Sequence, residues 1–410
     1  MLALLVGRFR RLDLAEDALA DAFEAAARSW RADGIPTNPA AWLLTSARRR
    51  ALDRLRAEAV AARTVPLLIV DARTQDEAHR AMADPGDAPC ELADERLRLA
   101  FLCAHPALAP EAAAALTLRM VLGVSTADLA RLFLVAEPTM AARLTRARKK
   151  LAVAGVSFAL PAPERLASRV AVLGTVAYLA FTAGYAPGSG PDVVRVELAG
   201  EAIRLTRLLR SLLASSTGGA PVTATGLDPL LALMLLQHSR RDARVDADGG
   251  LVLLPAQDRG RWRSDEIAEG LGLLRMIEPS RLDPQGYQLW LQAAIAAEHA
   301  RATTPSATDW PRIAELYAAL DRHTEGSPVV RLARAVAVAE ANGPLAGLEL
   351  LAGLDQALPS SHRVPGVRAE LLARAGLATE AASAYEQAIA LCGNDAERRH
   401  LIAQRAKLGG

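Results

Sequence analysis

The sequence has little cysteine, few aromatic residues and little net charge. Its three cysteines, Cys90, Cys103 and Cys392, are too scattered for a disulfide framework, so we predict a reducing, cytoplasmic setting. Aromatic residues make up 4% of the 410 residues whereas 51% are hydrophobic, a balance that favours packed helices over sheets. The net charge of +2 excludes a histone-like polycation, so a nucleic-acid-binding surface would have to be a local concentration of cations.

Long apolar runs are also missing. Met1–Leu5 is too short and wrongly flanked for a signal peptide. The longest run, "VAVLGTVAYLAFTAGY" over Val170–Tyr185, falls short of the roughly 20 residues of a membrane-spanning helix and contains two internal glycines. We predict a buried core helix there, with a membrane segment as the alternative, and a soluble intracellular protein.

Two-residue alternation is almost absent, and helical periodicity broken by proline and glycine predicts an all-α protein. Joints rich in proline or acidic residues occur within Arg63–Glu95 and Ala154–Leu166. They predict an N-terminal domain over 1–60, an acidic linker over 61–94, a helix-turn-helix domain over 95–155 and a helical extension over 160–410.

A 34-residue repeat occurs in the C-terminal part. Its members lie at i, i+4 and i+7 of a helix face: Ile313, Tyr317 and Leu320, then Gly347, Leu351 and Leu354, then Ala381, Tyr385 and Ala388. This period is typical of tetratricopeptide helix pairs, which stack into a protein-binding solenoid. We therefore predict such repeats from about residue 288, with a coincidence among alanine- and leucine-rich helices as the alternative.

Val124–Leu151 predicts two helices joined by a tight corner at Leu134–Ala136. Ser125 can cap the first helix, and Pro138 suits the first turn of the second. An apolar stripe of the second helix should face the core: Met140, Leu144, Ala147 and Leu151. The other side carries residues that can contact bases or phosphates: Thr139, Ala142, Arg143, Arg146, Lys149 and Lys150. The pattern indicates a helix-turn-helix, with an ordinary basic helix pair as the alternative.

Two N-terminal helices carry opposite charges. In "DLAEDALADAFEAAARSW" one face is apolar, with Ala18, Leu19, Ala22, Phe23, Ala26 and Trp30, and the other is acidic, with Glu16, Asp17, Asp21 and Glu24. Because an acidic helix repels DNA, it should be solvated or meet a basic protein partner. The next helix begins after the cap Asn38 and presents mainly cations: Arg48, Arg49, Arg50, Arg54 and Arg56.

This combination resembles the extracytoplasmic-function class of bacterial RNA polymerase sigma factors. "LAEDALADAFEAA", "NPAAWLLTSARRRALDRLR" and the helix-turn-helix are similar to the region 2.2, 2.3–2.4 and 4.2 segments of that class. "LLALMLLQHSRRDARVDADGGLVLLPAQDRGRW", "YQLWLQAAIAAEHA" and "DWPRIAELYAAL" resemble the long C-terminal helical extension of one subgroup. The resemblance covers nearly the whole chain. About one more helix usually precedes the "AEDA" segment, so we expect a curtailed first helix here or a start further upstream.

The resemblance implies a role for each candidate residue. Asp17, Asp21 and Glu24 would bind the largest subunit of core RNA polymerase. Asn38, Trp42, Arg48, Arg49, Arg50 and Arg54 would bind the −10 element of the promoter, although Trp42 is equally suited to a core position. Thr139, Ala142, Arg143, Arg146, Lys149 and Lys150 would bind the −35 element.

These observations predict a sigma factor that is not an enzyme, has no cofactor and binds core RNA polymerase and promoter DNA. The extension is expected to regulate activity and to bind a further protein. No metal site is predicted, because His105 and Cys103 have no further ligands close in sequence. The alternatives are a conventional helix-turn-helix regulator with a repeat-based sensor domain, and a tetratricopeptide scaffold without a DNA-binding role.

Overall fold

The computed structural model is all-α, as predicted, and its described residues form no sheet. It describes residues 1–64, 89–133, 135–154, 156, 158–185, 196–216, 226–246 and 252–409. The chain forms two compact units, Met1–Val176 and Ala177–Gly410. Most of the predicted linker, residues 65–88, and Leu134 of the predicted corner lie outside the described residues.

The first unit is built from seven described helices and the start of an eighth. They are α1 Leu2–Phe9, α2 Leu12–Asp33, α3 Pro39–Thr64, α4 Pro89–Cys103, α5 Pro110–Met120, α6 Thr126–Leu132, α7 Glu137–Val153 and α8 Pro163–Tyr185. Helix α2 packs along α3, α1 packs on both α2 and α4, and α7 packs on α5 and α6. The basic helix α3 and the helix-turn-helix therefore belong to one unit.

The apolar faces of the first unit agree with the periodicity, with one exception. Ala18, Ala22 and Ala26 of α2 are at most 3% exposed. Phe23 was expected on this face, but its side chain is 49% exposed. The expectation was wrong because each residue turns the helix by about 100°, which places Phe23 beyond the stripe of small alanines that faces α3.

Helix α8 contains the longest apolar run. Glu164–Tyr185 is long and apolar enough to cross a membrane, and about half of its most apolar window, 47%, is buried inside the protein. Leu166, Val170 and Leu173 are at most 5% exposed and follow each other at i, i+4 and i+7. This one-sided burial is typical of an amphipathic helix packed on a protein core.

The second unit continues from α8 through eleven further helices of the described chain. They are α9 Val196–Ser216, α10 Leu227–His238, α11 Ser264–Met276, α12 Pro284–Arg301, α13 Trp310–His323, α14 Pro328–Asn342, α15 Pro344–Leu350, α16 Leu354–Ala357, α17 Arg363–Arg374, α18 Ala378–Leu391 and α19 Asp395–Ala406. Short 3-10 turns join several of them. Helix α10 is buried on every side and packs against α9, α11 and α12.

From α12 onward the helices follow one another as antiparallel neighbours: α12 with α13, α14 with α15, and α17 with α18. In the first and last copies the repeat positions lie on one helix, α13 and α18. In the middle copy the predicted helix face is interrupted, because α15 ends at Leu350 and Leu354 begins α16. Ile313, Gly347 and Ala381 are all buried. Gly347 permits the closest approach, because a Cβ atom there would lie 2.6 Å from the carbonyl oxygen of Ala335 in α14. The small residues of the repeat thus lie where consecutive helices touch.

Candidate nucleic-acid interface

The helix-turn-helix is formed by α6 and α7. The Ser125 hydroxyl accepts a hydrogen bond from the Asp128 amide at 3.1 Å, which caps α6. Helix α7 begins at Glu137 with Pro138 in its first turn. Its apolar stripe is buried as predicted: Met140, Leu144, Ala147 and Leu151 are at most 4% exposed.

The predicted DNA-reading side of α7 faces solvent. Thr139, Ala142, Arg146, Lys149 and Lys150 are exposed, and Arg143 is half-buried. The guanidinium of Arg143 lies over the ring of Phe133, 6.0 Å from its centroid. No carboxylate of the described chain forms an ion pair with these four cations. Since cations without acidic partners attract polyanions, this surface is electrostatically suited to phosphates.

Helix α3 carries the second basic surface. Its cap is the one predicted, because the Asn38 side chain accepts a hydrogen bond from the Ala41 amide at 3.0 Å. Leu43, Ala47 and Ala51 are buried. Arg49 is exposed, Arg48 and Arg50 are half-buried, and none of the three has an ion-pair partner among the described residues.

Trp42 lies in the first turn of α3 and is half-buried. Its ring meets the ring of Trp30 edge-to-face, with centroids 5.5 Å apart and an interplanar angle of 65°. The two tryptophans join the end of α2 to the start of α3, beside the exposed loop that contains Gly34 and Asn38.

Two carboxylates of the predicted acidic surface contact Arg54, which was predicted from the sequence to bind DNA. Arg54 of α3 donates to the Oδ2 atoms of Asp17 and Asp21 on α2, at 2.8 Å in each case. Glu24, one turn further along α2, lies 3.5 Å from Arg28 and remains exposed. Arg54 was predicted among the DNA-binding cations, and in the structure its guanidinium pairs with two carboxylates of α2.

A contact between the acidic helix and the helix-turn-helix was not predicted. Arg148 of α7 pairs with Glu16 of α2. Near this contact, Arg10 donates to the carbonyl oxygen of Phe158 at 2.8 Å and lies over the Phe158 ring. The opposite charges of α2 and α7 are visible in the sequence and are compatible with such a contact. Only the tertiary structure identifies which two residues form it.

The surroundings of Cys103 and His105 favour the neutral form of each side chain. The Cys103 side chain is fully buried, and this burial raises the pKa of its thiol. His105 accepts a hydrogen bond from the Ala107 amide at 3.1 Å. Burial and the nearby Arg169 lower the pKa of His105, so its neutral form is favoured.

The three sequence strings of the extension meet in one cluster of the second unit. Arg259 donates to the carbonyl oxygens of His299 and Ala302, at 2.6 and 2.5 Å, and lies over the Trp262 ring at 4.8 Å. The His299 ring meets the Trp310 ring edge-to-face at 5.3 Å. Burial, together with Arg240 and Arg259, lowers the pKa of His299 to about 4. This cluster joins α12 and α13 to the segment that follows α10.

These features define a helical protein with two basic, solvent-facing helices and an acidic helix in one compact unit. Models of known families match at the corresponding places. The model for sigma-70 region 2 matches residues 1–60, and the model for sigma-70 region 4 matches residues 98–151. A family described as being of unknown function (DUF6596) matches residues 169–277.

An uncharacterized protein of Rhizobium meliloti (strain 1021) is 40% identical over 396 residues, which cover 97% of this chain and 90% of that protein. No solved structure gives a significant match. The chain therefore belongs to the sigma-70 family: it is a sigma factor with regions 2 and 4 and a C-terminal helical extension.

Proposed function

We propose that this sigma factor is of the extracytoplasmic-function type, that it binds core RNA polymerase in the cytoplasm and that it directs initiation at a limited set of promoters. The observation that carries the proposal is the arrangement of charge in residues 1–151. An acidic surface on α2 adjoins basic surfaces on α3 and α7. Most cations of these basic surfaces have no acidic partner among the described residues: Arg48, Arg49, Arg50, Arg143, Arg146, Lys149 and Lys150. Only residues 61–97 separate the two sigma-70 matches, which supports a type with a simple linker between them.

Each surface has a proposed role. Asp17, Asp21 and Glu24 bind a basic surface of the polymerase. The α3 surface, with Asn38, Trp42, Arg48, Arg49 and Arg50, binds the −10 element. A single-stranded promoter base would reach the exposed loop beside Trp42, where stacking contributes about 1–3 kcal/mol per base. The α7 surface reads the −35 element, with Arg143 suited to a bidentate guanine contact and Lys149 and Lys150 suited to phosphates.

Arg54 links the first two surfaces. Its guanidinium bridges Asp17 and Asp21, so polymerase binding to these carboxylates competes with an internal ion pair. Release of Arg54 would add one cation to the α3 surface when the polymerase is bound. In this proposal the same arginine holds the acidic pair in the free protein and contacts DNA in the complex.

The extension is proposed to regulate this activity and to bind a further protein through tetratricopeptide-like helix pairs. The buried small residues at the repeat positions support the assignment, since such pairs stack through small side chains. A deletion that tests regulation should leave residues 1–176 in place, because Arg169 of α8 hydrogen-bonds to the carbonyl oxygen of Phe101 within the first unit.

Binding of the purified full-length protein to core RNA polymerase tests the proposed function. We expect the Asp17→Arg/Asp21→Arg variant to bind at least about 100-fold more weakly, because two close interfacial charge pairs contribute roughly 3 kcal/mol or more. Asp33→Arg, at the exposed end of the same helix, is the matched control and should bind like the parent protein.

A charge-swapped variant separates folding from recognition. Asp17→Arg/Asp21→Arg/Arg54→Asp restores the internal attraction between α2 and α3 but not the acidic surface. We expect it to regain stability and to remain unable to bind polymerase. Polymerase-independent, specific binding of the parent protein to duplex promoter DNA, with no binding to the polymerase, would instead identify a conventional helix-turn-helix regulator.

A further inference from the structure

Three side chains with metal-binding chemistry meet at the end of the second unit. His362 immediately precedes α17, Cys392 ends α18, and Glu397 lies in the first turn of α19. The three potential ligand atoms all lie within 4.8 Å of one another. They lie at the ends of three different helices, and no short sequence motif contains them.

The surroundings hold this trio in place. Cys392 is 1% exposed, whereas the side chains of His362 and Glu397 are 22% and 29% exposed. The Asn394 side chain accepts a hydrogen bond from the Glu397 amide at 3.0 Å and so fixes the first turn of α19. Arg398 donates to the carbonyl oxygen of Cys392 at 3.1 Å. The cluster therefore has one deep sulfur ligand and two ligands that reach solvent.

The present contacts are those of a site without an ion. His362 Nε2 lies 2.6 Å from Glu397 Oε2, and the Cys392 sulfur lies 3.4 Å from the Asn394 carbonyl oxygen. Arg363 lies 3.6 Å from the other Glu397 oxygen. A tetrahedral zinc ion with bonds of roughly 2.0–2.3 Å separates its ligand atoms by roughly 3.3–3.7 Å. The separations within the trio, at most 4.8 Å and as short as 2.6 Å between His362 and Glu397, are close to this range.

The donor set selects the class of metal. A thiolate, an imidazole nitrogen and one carboxylate oxygen suit a borderline-soft ion such as Zn²⁺, whereas Mg²⁺ and Ca²⁺ require several oxygen ligands. The solvent-facing side leaves a fourth position for water.

We propose that His362, Cys392 and Glu397 form a zinc site that fastens α19 to the last helix pair. On binding, the Cys392 thiol releases its proton to solvent, and the contact between His362 and Glu397 is replaced by two bonds to the ion. Because α19 packs on α18, the ion stabilises the contact between these two helices. This site is independent of the proposed promoter recognition, which involves the first unit.

Cobalt substitution tests the site in the full-length protein. We expect one Co²⁺ per chain, a sulfur-to-cobalt charge-transfer band in the near ultraviolet, and loss of both on addition of Zn²⁺. Cys392→Ser should abolish the band, and Cys103→Ala, which removes another buried thiol, should leave it unchanged. Zn²⁺ should also slow tryptic cleavage after Arg398, Arg399 and Arg405 of α19 in the parent protein only.

His362→Ala and Glu397→Gln serve as second variants and should each weaken metal binding more than tenfold. They decide the question if Cys392→Ser does not fold, as judged by circular dichroism. Absence of the band in the parent protein would overturn the proposal and leave an ordinary histidine–glutamate pair beside a buried thiol. Undiminished binding in His362→Ala and Glu397→Gln, or a band that persists in Cys392→Ser, would overturn it equally.

Discussion

The two units use their arginines differently. In the second unit, arginines join one helix to another through carboxylates: Arg207 to Glu269, Arg210 to Asp228, Arg334 to Asp321, Arg374 to Glu340, Arg368 to Asp355 and Arg405 to Glu386. In the first unit, Arg54 and Arg148 join helices in the same way. Other arginines of α3 and α7 have no acidic partner in the described chain: Arg48, Arg49, Arg50, Arg143 and Arg146. The same residue type therefore stabilises the extension internally and leaves the sigma regions ready to bind a polyanion.

Positive charge is concentrated on two helices of the first unit, α3 and α7. The net charge of the chain is only +2, yet α3 and α7 each present a basic surface, because most of their cations have no acidic partner among the described residues. In the extension several arginines pair with acids of another helix. A nucleic-acid-binding surface can thus exist on a protein of nearly neutral composition.

The largest expected effect of removing one arginine is a loss of stability in the second unit. Arg334 lies 2.9 Å from Asp321, whose side chain is only 14% exposed. Arg334→Ala leaves this carboxylate without its partner and should lower the free energy of unfolding by about 3 kcal/mol. Urea denaturation followed by tryptophan fluorescence measures the change.

Arg146→Ala in α7 is the matched control for Arg334→Ala. Its side chain is exposed and has no acidic partner, so we expect a change in stability within about 0.5 kcal/mol. DNA affinity should respond in the opposite way, with a loss for Arg146→Ala and none for Arg334→Ala. Equal stability losses in the two variants would show that the arginines of the two units are not used differently.

His299 makes the second unit sensitive to pH. Because its pKa is about 4 in the folded protein and 6.5 in the unfolded chain, only the unfolded chain takes up the proton between these values. Stability is present above pH 6.5 and is lost as the pH falls toward 4. The loss between pH 7 and pH 5 should be about 2 kcal/mol larger in the parent protein than in His299→Gln.

Urea denaturation at several pH values checks the His299 prediction. Each unfolding free energy is compared between the parent and the variant at the same pH, so the titration of all other groups cancels. Parallel curves for the two proteins would mean that His299 does not couple folding to protonation. The extension would then tolerate a protonated histidine beside Arg240 and Arg259.

The smallest effects concern two helical glycines. Gly347→Ala should lower the free energy of unfolding by at least about 1 kcal/mol, because its Cβ would lie 2.6 Å from the Ala335 carbonyl oxygen and from the Ala339 Cβ. Gly200→Ala in α9 meets no atom within 4 Å and should raise stability by about 0.5–1 kcal/mol. Thermal unfolding of the two variants shows whether each substitution raises or lowers stability. A stabilising Gly347→Ala would contradict the tight contact between α14 and α15.

Local sequence patterns were sufficient to predict much of the structure of the first unit. The caps at Asn38 and Ser125 and the buried stripe of α7 depend on residues within one or two helical turns of one another. Such short-range patterns can be recognised in the sequence because helical geometry alone determines which of these positions are neighbours. Phe23 shows the limit, since the width of a buried stripe depends on the neighbour that covers it.

The helical class, the helix-turn-helix and the positions of the basic surfaces could therefore be predicted from local patterns. Contacts between charged or polar side chains of different helices became known from the fold alone: Arg54 with Asp17 and Asp21, Arg148 with Glu16, and the trio His362, Cys392 and Glu397. These contacts join residues on different helices, so their distances depend on helix packing. No periodicity within a single helix encodes that packing.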